Sequence, residues 1–344
     1  MGLFNNRQQQ DGKEIVPVWF MRQAGRYHSH YQNIKKKSNF MEMCKDPKLA
    51  QEVTHGPLDE FNFDAAILFS DLLFPLEHLG MGLTYAPGPK LGFTLEQTED
   101  LKKLSPLAPA EEFYAFQGDA CALLRESMPE YKTLLGFVGS PWTLYTYACQ
   151  GSHAGNLTPS KNGFYDGRFA GFCELLLPNL LTEMRVQAQN GADAICLFDT
   201  AVGELTKDDF CEFVLPKIKE VTEKFKSEFP DKKIVYYSKL THIDYLEMID
   251  DKNIDVLGID WRVNIEDALN ALSDRYYIQG NLDPSHLHLP WELLEKKWMA
   301  LWEKVERTGK ANRWICGLGH GVLQHTPEEN VKNSVALIHE RFRY

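Results

Sequence analysis

The sequence predicts an α/β protein, a (β/α)8 barrel with its working cleft at the carboxyl ends of the strands. Two observations carry that prediction. Short apolar runs rich in β-branched and aromatic residues alternate with longer amphipathic stretches, the pattern of βαβ units on a parallel sheet. Each apolar run also ends in a small or reactive cluster. Chemistry spread over the ends of many successive strands belongs to a barrel. An open doubly wound sheet concentrates it near one switch point, usually with a glycine-rich phosphate loop. Neither G-x-G-x-x-G nor G-x-x-x-x-G-K-[ST] occurs here.

Taken in order, residues 1–14 are polar and read as a loosely held lead-in, and 15–344 as the barrel domain. Val16–Phe20 is the candidate eighth strand, which would bring Arg22 and Arg26 to the barrel mouth. Ala65–Phe69 runs into Ser70-Asp71, Leu134–Val138 into Gly139-Ser140-Pro141-Trp142, and Ala194–Phe198 into Asp199-Thr200. Ile234–Tyr237 runs into Ser238-Lys239, and Val256–Ile259 into Asp260-Trp261. Tyr276–Gln279 ends at Gly280-Asn281, and Trp314–Cys316 at Gly317-Leu318-Gly319-His320-Gly321. Helical periodicity falls between them, as in Phe172–Ala188, Lys207–Phe225 and Leu293–Val305. Thr326-Pro327-Glu328-Glu329 reads as a helix start with Thr326 as its cap.

With 344 residues, 44% hydrophobic and 25% charged, the composition is globular, and the length admits one large barrel or two domains. No apolar run reaches the roughly 18 residues of a membrane span, and the N-terminus lacks a signal-peptide core. The seven cysteines are scattered without a Cys-x-x-Cys pair, which suggests reduced thiols in the cytoplasm. A formal charge of −11 argues against a nucleic-acid partner. It also requires that any site for an anionic substrate be locally basic.

The most informative stretch is Pro17-Val18-Trp19-Phe20-Met21-Arg22-Gln23-Ala24-Gly25-Arg26-Tyr27. Arginine donates two parallel hydrogen bonds to a carboxylate, so an apolar run ending in two arginines four apart reads as an anion-holding turn. Two solvated surface arginines are the alternative. Asp71, after a strand apolar on both sides, is either a site carboxylate or a helix cap. His320, flanked by glycines, belongs either to a turn or to a ligand pocket. Tyr147 either packs or offers a hydroxyl, and Thr200 either caps or bonds a carboxylate. Cys316 and His320 are four apart, but no second His/Cys cluster completes a zinc site. No G-x-S-x-G nucleophile elbow occurs.

The Pro17–Tyr27 stretch resembles the N-terminal signature of the uroporphyrinogen decarboxylase family. Gly136-Phe137-Val138-Gly139-Ser140-Pro141-Trp142-Thr143-Leu144 resembles its second signature. The resemblance continues, in order, through Asp64–Leu72, Phe198-Asp199-Thr200, Gly258-Ile259-Asp260-Trp261, Gln279–Pro284 and Leu318-Gly319-His320-Gly321. It implies a single distorted (β/α)8 barrel, a cytoplasmic homodimer that needs no cofactor, and removal of four acetate carboxyls from uroporphyrinogen III in haem synthesis. By the same resemblance Arg22 and Arg26 bind substrate carboxylates, with Gln23, Ala24 and Gly25 adding contacts. Asp71 faces the pyrrole N–H groups, and Tyr147, Thr200 and His320 complete the pocket. Asp71 and Arg22 are the residues implied in the chemistry.

The chain departs from the family pattern at Ser238–His242, where a glycine-rich turn is usual, at Ala201, and over Gln150–Gly167. A corrinoid-dependent methyltransferase on the same barrel would need zinc held by His and Cys. A porphyrinogen-binding protein without activity would be expected to lack Asp71 or an arginine.

Overall fold

The computed structural model describes residues 2–4, 9–85 and 88–344. Its centre is a parallel sheet of seven strands: β1 (Ala65–Ile67), β2 (Thr133–Gly139), β3 (Ala194–Asp199), β4 (Lys233–Ser238), β5 (Val256–Gly258), β6 (Tyr277–Leu282) and β7 (Trp314–Leu318). Their spatial order equals their chain order, so every crossover leads to the neighbouring strand. Six of the strands are those expected at nearly the expected bounds; β1 stops at Ile67, two residues early.

Side-chain alternation explains the curl. Leu135 and Phe137 of β2, Ala194, Cys196 and Phe198 of β3, and Val235 and Tyr237 of β4 form one buried cluster with Ala65, Val256 and Ile315. The residues between them, such as Leu134, Ile195, Leu197, Ile234 and Tyr236, pack outward into the larger core beneath the helices. A strand buried on both faces must be apolar at every position, which made these runs conspicuous.

The segment expected as the eighth strand is extended but forms no ladder. Val18 makes a lone parallel bridge with Cys316, flanked by Cys316 N–H to Pro17 O (2.8 Å) and Trp19 N–H to Cys316 O (3.1 Å). On its other side Asp64 N–H reaches Val18 O (3.1 Å), while Val18 N–H donates to the Asp64 side chain (2.8 Å). A proline without an N–H and a carboxylate in place of a carbonyl interrupt regular pairing here. Trp19 and Met21 nevertheless point into the same interior cluster.

Helices cover the outside: α1 (Pro47–Phe61), α2 (Ala115–Ser127), α3 (Pro141–Gln150), α4 (Arg168–Gln189), α5 (Leu215–Glu228), α6 (Ile265–Leu272), α7 (Trp291–Arg307) and α8 (Glu328–Arg341). Asp46 caps α1 by accepting from Lys48 and Leu49 N–H, and α7 buries Leu294, Trp298, Trp302 and Val305 at helical spacing. The helix expected over Lys207–Phe225 is broken. A turn at Lys207–Asp209 passes into a π-helical turn at Phe210–Val214 before α5. Pro216 cannot donate to the preceding turn, which widens there. Thr326 does not cap α8. Its hydroxyl donates to Leu323 O, and Pro327 occupies the cap position.

Parts of the lead-in are held. Leu3 is buried among the interior residues and its N–H donates to Thr133 Oγ1 (3.0 Å). Gln9–Gln10 and Lys13–Glu14 form a short antiparallel hairpin.

Candidate active site

The carboxyl ends of the strands surround a cavity of about 270 Å³. Arg22, Ala24, Asp71, Thr200 and His320 line it together, although they lie up to about 300 positions apart in sequence. Met21, Phe40, Phe69, Phe137 and Phe198 supply apolar walls. A pocket with broad apolar walls and a few convergent polar groups is the usual form of a small-molecule site.

Arg22 is placed by its backbone. It adopts a left-handed conformation (φ 60°), which turns the chain out of the extended segment. Its side chain then runs over Gly321: a Cβ there would lie 2.4 Å from Arg22 Cδ and 3.0 Å from its Cβ. Neither Arg22 nor Arg26 enters an ion pair among the described residues. Desolvation lowers the Arg22 pKa and Arg26 adds to that effect, while Tyr147, Tyr237 and Asp71 oppose it. A cation in this state is ready to accept an anion.

Asp71 follows β1 on a short turn, with Leu73 N–H donating to its Oδ1 (2.8 Å). The carboxylate is therefore both a local turn-former and a cleft residue. Burial raises its pKa, against the Tyr85 hydroxyl, the Leu73 N–H and the Arg22 charge, which lower it. Tyr85 comes from a two-stranded hairpin (Thr84–Tyr85 with Pro89–Lys90) and packs on Phe40 at 4.7 Å between ring centroids. Its hydroxyl faces Asp71 but closes no hydrogen bond of good geometry.

Tyr147, on α3, is half-buried. Burial, and then the Asp71 charge, push its pKa up to about 12, so it remains a phenol. Its hydroxyl pairs with His153 Nδ1 at 2.7 Å. His320 is pushed down to about 3 by burial, with Arg22, Lys239 and His153 adding to the effect, so it is neutral. The Tyr237 hydroxyl donates to Gly319 O (2.8 Å) and lies 3.2 Å from His320 Nδ1. Tyr237 has only one proton to give, so His320 Nδ1 is the donor in that contact and Nε2 keeps a free lone pair.

The remaining predicted residues divide. Ala24 lines the cavity, and Gly25 allows the tight turn in which His28 N–H donates to Gly25 O. Gln23 is buried and turned away, its amide donating to Ala65 O (3.1 Å) to fasten the arginine turn to β1. Arg26 is exposed beside the cleft, outside the cavity wall.

Lys239 and His153 bear electrostatically on His320, and sequence reasoning singled out neither as a site residue. The only signal was that their segments depart from the family pattern. Tyr85 gave no signal, being on a hairpin too short for periodicity. Asp199 shows the converse. It ends a strand as Asp71 nearly does, yet it is fully buried and accepts from Ser140 (2.9 Å), Thr143 (2.8 Å) and Tyr236 (2.9 Å), so it braces the strand ends.

Among the described residues one group, His28 with Glu60 and Glu328, has metal-holding geometry, and none of the three lines the cavity. No cysteine lines it either.

Because Gly321 makes room for Arg22, Gly321→Ala is expected to displace the guanidinium and raise KM several-fold with little loss of thermal stability. Steady-state kinetics with a melting curve checks this. An unchanged KM would mean that Arg22 has another route into the cleft.

Comparison with known proteins agrees with this geometry. The family model described as uroporphyrinogen decarboxylase (URO-D) matches residues 5–341. A protein named uroporphyrinogen decarboxylase from Nautilia profundicola is 35% identical, with 96% of each chain covered. One of the same name from Campylobacter jejuni is 37% identical, over 94% of this chain and 95% of its own. Among solved structures, a methyltransferase from Methanosarcina mazei superposes with a TM-score of 0.74 at 15% identity, covering 95% of this chain and 94% of its own. A B12-independent methionine synthase from Shewanella gives 0.55 at 11%, covering 95% and 94%. At such low identity these two speak to the fold alone. The length and level of the sequence matches place the chain in the uroporphyrinogen decarboxylase family.

Proposed function

We propose that this chain decarboxylates the four acetate arms of uroporphyrinogen III, giving coproporphyrinogen III and carbon dioxide in tetrapyrrole synthesis. The observation that carries the reading is one cleft holding an arginine without an ion-pair partner among the described residues beside a half-buried carboxylate. The substrate has eight carboxylates at its rim and four pyrrole N–H donors at its centre. Arg22 and Arg26 suit the rim. Asp71, an acceptor when ionised, suits the centre.

Each arm reacts in the same way. A proton adds to the ring carbon bearing the acetate and makes the ring cationic. The C–CO₂ bond breaks, its electron pair flows into that ring, and the exocyclic carbon is protonated to a methyl as the ring proton leaves. Per arm, one proton is consumed and one carbon dioxide released. The substrate is its own electron sink, and Asp71 stabilises the positive charge as it develops. Arg22 stands where it could deliver the first proton, and desolvation moves its acidity in the needed direction. His320 Nε2 offers a further acceptor and Thr200 bounds the pocket, while Tyr147 stands outside the cavity wall with its hydroxyl on His153.

The fold belonging to this reading is one (β/α)8 barrel domain over 15–344, closed by the Pro17–Trp19 segment between β7 and the residue before β1. We place the protein in the cytoplasm as a C₂ homodimer. All seven cysteines are free thiols, and no helix among the described residues is long and apolar enough to cross a membrane. Paired clefts would shield a large reactive macrocycle from bulk water. Sedimentation should give twice the 39.5 kDa chain mass, and a fully active monomer would remove the dimer.

An anaerobic, reducing assay tests the function: uroporphyrinogen should yield carbon dioxide and the four-carboxyl product through seven-, six- and five-carboxyl species. Binding without carbon dioxide release would make the protein a carrier.

A further inference from the structure

Behind the cleft wall lies a buried polar chain that the reaction above does not use. Gln117 Nε2 on α2 donates to Ser70 Oγ (3.0 Å) and to Glu183 Oε1 on α4 (2.9 Å). Gln187, one turn beyond Glu183, donates to Gln117 Oε1 (3.0 Å) and to Phe137 O (3.0 Å), and accepts from Phe137 N–H (2.7 Å). Gly136 permits that approach, since a Cβ there would lie 2.2 Å from Gln187 Oε1. Gln117, Glu183 and Gln187 are each at most 1% exposed. At the far end Ser70 lines the cavity directly before Asp71.

We propose that Glu183 is a positioning residue: through Gln117 it fixes the Ser70 hydroxyl so that its proton points into the cleft, where it donates to a substrate carboxylate or carbonyl oxygen beside Asp71. The proposal rests on the decarboxylase reading of the cleft.

The geometry leaves little freedom. Both Gln117 amide protons are committed, and Gln187 holds its carbonyl, so the amide cannot flip without losing three hydrogen bonds. Ser70 Oγ accepts from Gln117, and its own O–H is then available on the cavity side. Glu183 has to be an acceptor at Oε1 without carrying a full charge. The groups that face it are Gln117 of α2, Tyr114 at the N-terminal cap of α2, and the Asp71 carboxyl, and no cation is among them. Tyr114 gives its proton to Asn179 (2.8 Å), and Glu183 Oε2 has no partner among the described residues. A buried carboxyl in such company is held neutral. Burial accordingly pushes Glu183 up to about 8 from its ordinary 4.5, with Gln117 opposing and Asp71 adding.

The sign of the linkage follows. Between pH 4.5 and about 8 the folded protein holds this proton and the unfolded chain does not. Stability therefore falls as pH rises across that window and levels off above it. Glutamine keeps the Oε1 acceptor and cannot ionise, so Glu183→Gln should melt progressively higher than the natural protein from pH 5 to pH 8.

The test is a double-mutant cycle on kcat/KM with those melting curves. Ser70→Ala and Glu183→Leu should each lower kcat/KM by about 3–10-fold, the range of one lost hydrogen bond. The pair together should be no worse than Ser70→Ala alone, and Glu183→Gln should retain wild-type kinetics. If Glu183→Leu does not fold, Gln117→Leu in the same cycle reads the same link. Fully additive losses, or Glu183→Gln as impaired as Glu183→Leu, would overturn the proposal. An inactive natural protein would instead overturn the decarboxylase reading, and the melting curves would still report on Glu183.

Discussion

Asp71→Asn should leave a folded protein that decarboxylates at least about 10²-fold more slowly, the usual size of one lost electrostatic stabiliser. The substitution keeps the shape and the acceptor that Leu73 N–H uses, and removes only the charge. That charge faces a ring that becomes cationic during the reaction. The pH dependence is a second signature. Burial raises the Asp71 pKa, so activity should fall on the acid side through a value above the ordinary carboxylate pKa of 3.8. Acidification protonates the acceptor, and the asparagine variant should lose that acid limb. A folded variant with a near-wild-type rate would remove Asp71 from the chemistry.

Arg22→Ala should have the next largest effect, and Arg26→Ala a smaller one in the same direction. Losing a charge-assisted hydrogen bond to a carboxylate costs about 1.5–3 kcal/mol, roughly 10- to 150-fold in affinity. Arg22 lines the cavity and Arg26 stands outside it, which sets their order. The loss should be greater for the eight-carboxylate substrate than for analogues with fewer acetate arms, compared as kcat/KM. Equal losses on both would mean that the arginines do not read those arms. Because Arg22 carries no ion pair among the described residues, its removal should barely move the melting temperature.

The sheet was legible because strands buried on both faces must be apolar throughout, and β2, β3 and β4 are. The segment around Val18 was less so. Its pairing depends on Asp64, a side chain 46 positions away that takes the place of a backbone acceptor. Strand-end positions likewise named Asp71, Thr200 and His320, which the fold brings to one cavity. What sequence position does not give is the partner. Asp199 and Asp71 carry the same local signature. Three hydroxyls neutralise the role of one, and the other is left facing a cavity. Gln23 sits inside the arginine signature, yet its amide serves Ala65. Tyr85 and Glu183 reach the site only through tertiary packing, so no local pattern announces them.

The most direct test is a crystal structure of the protein with coproporphyrinogen bound under reducing conditions. The product should lie at the carboxyl ends of the strands, its pyrrole N–H groups within hydrogen-bond distance of the Asp71 carboxylate and a methyl left by an acetate arm directed toward Arg22. A macrocycle bound elsewhere, or seated in this cleft with its N–H groups turned away from Asp71, would contradict the account.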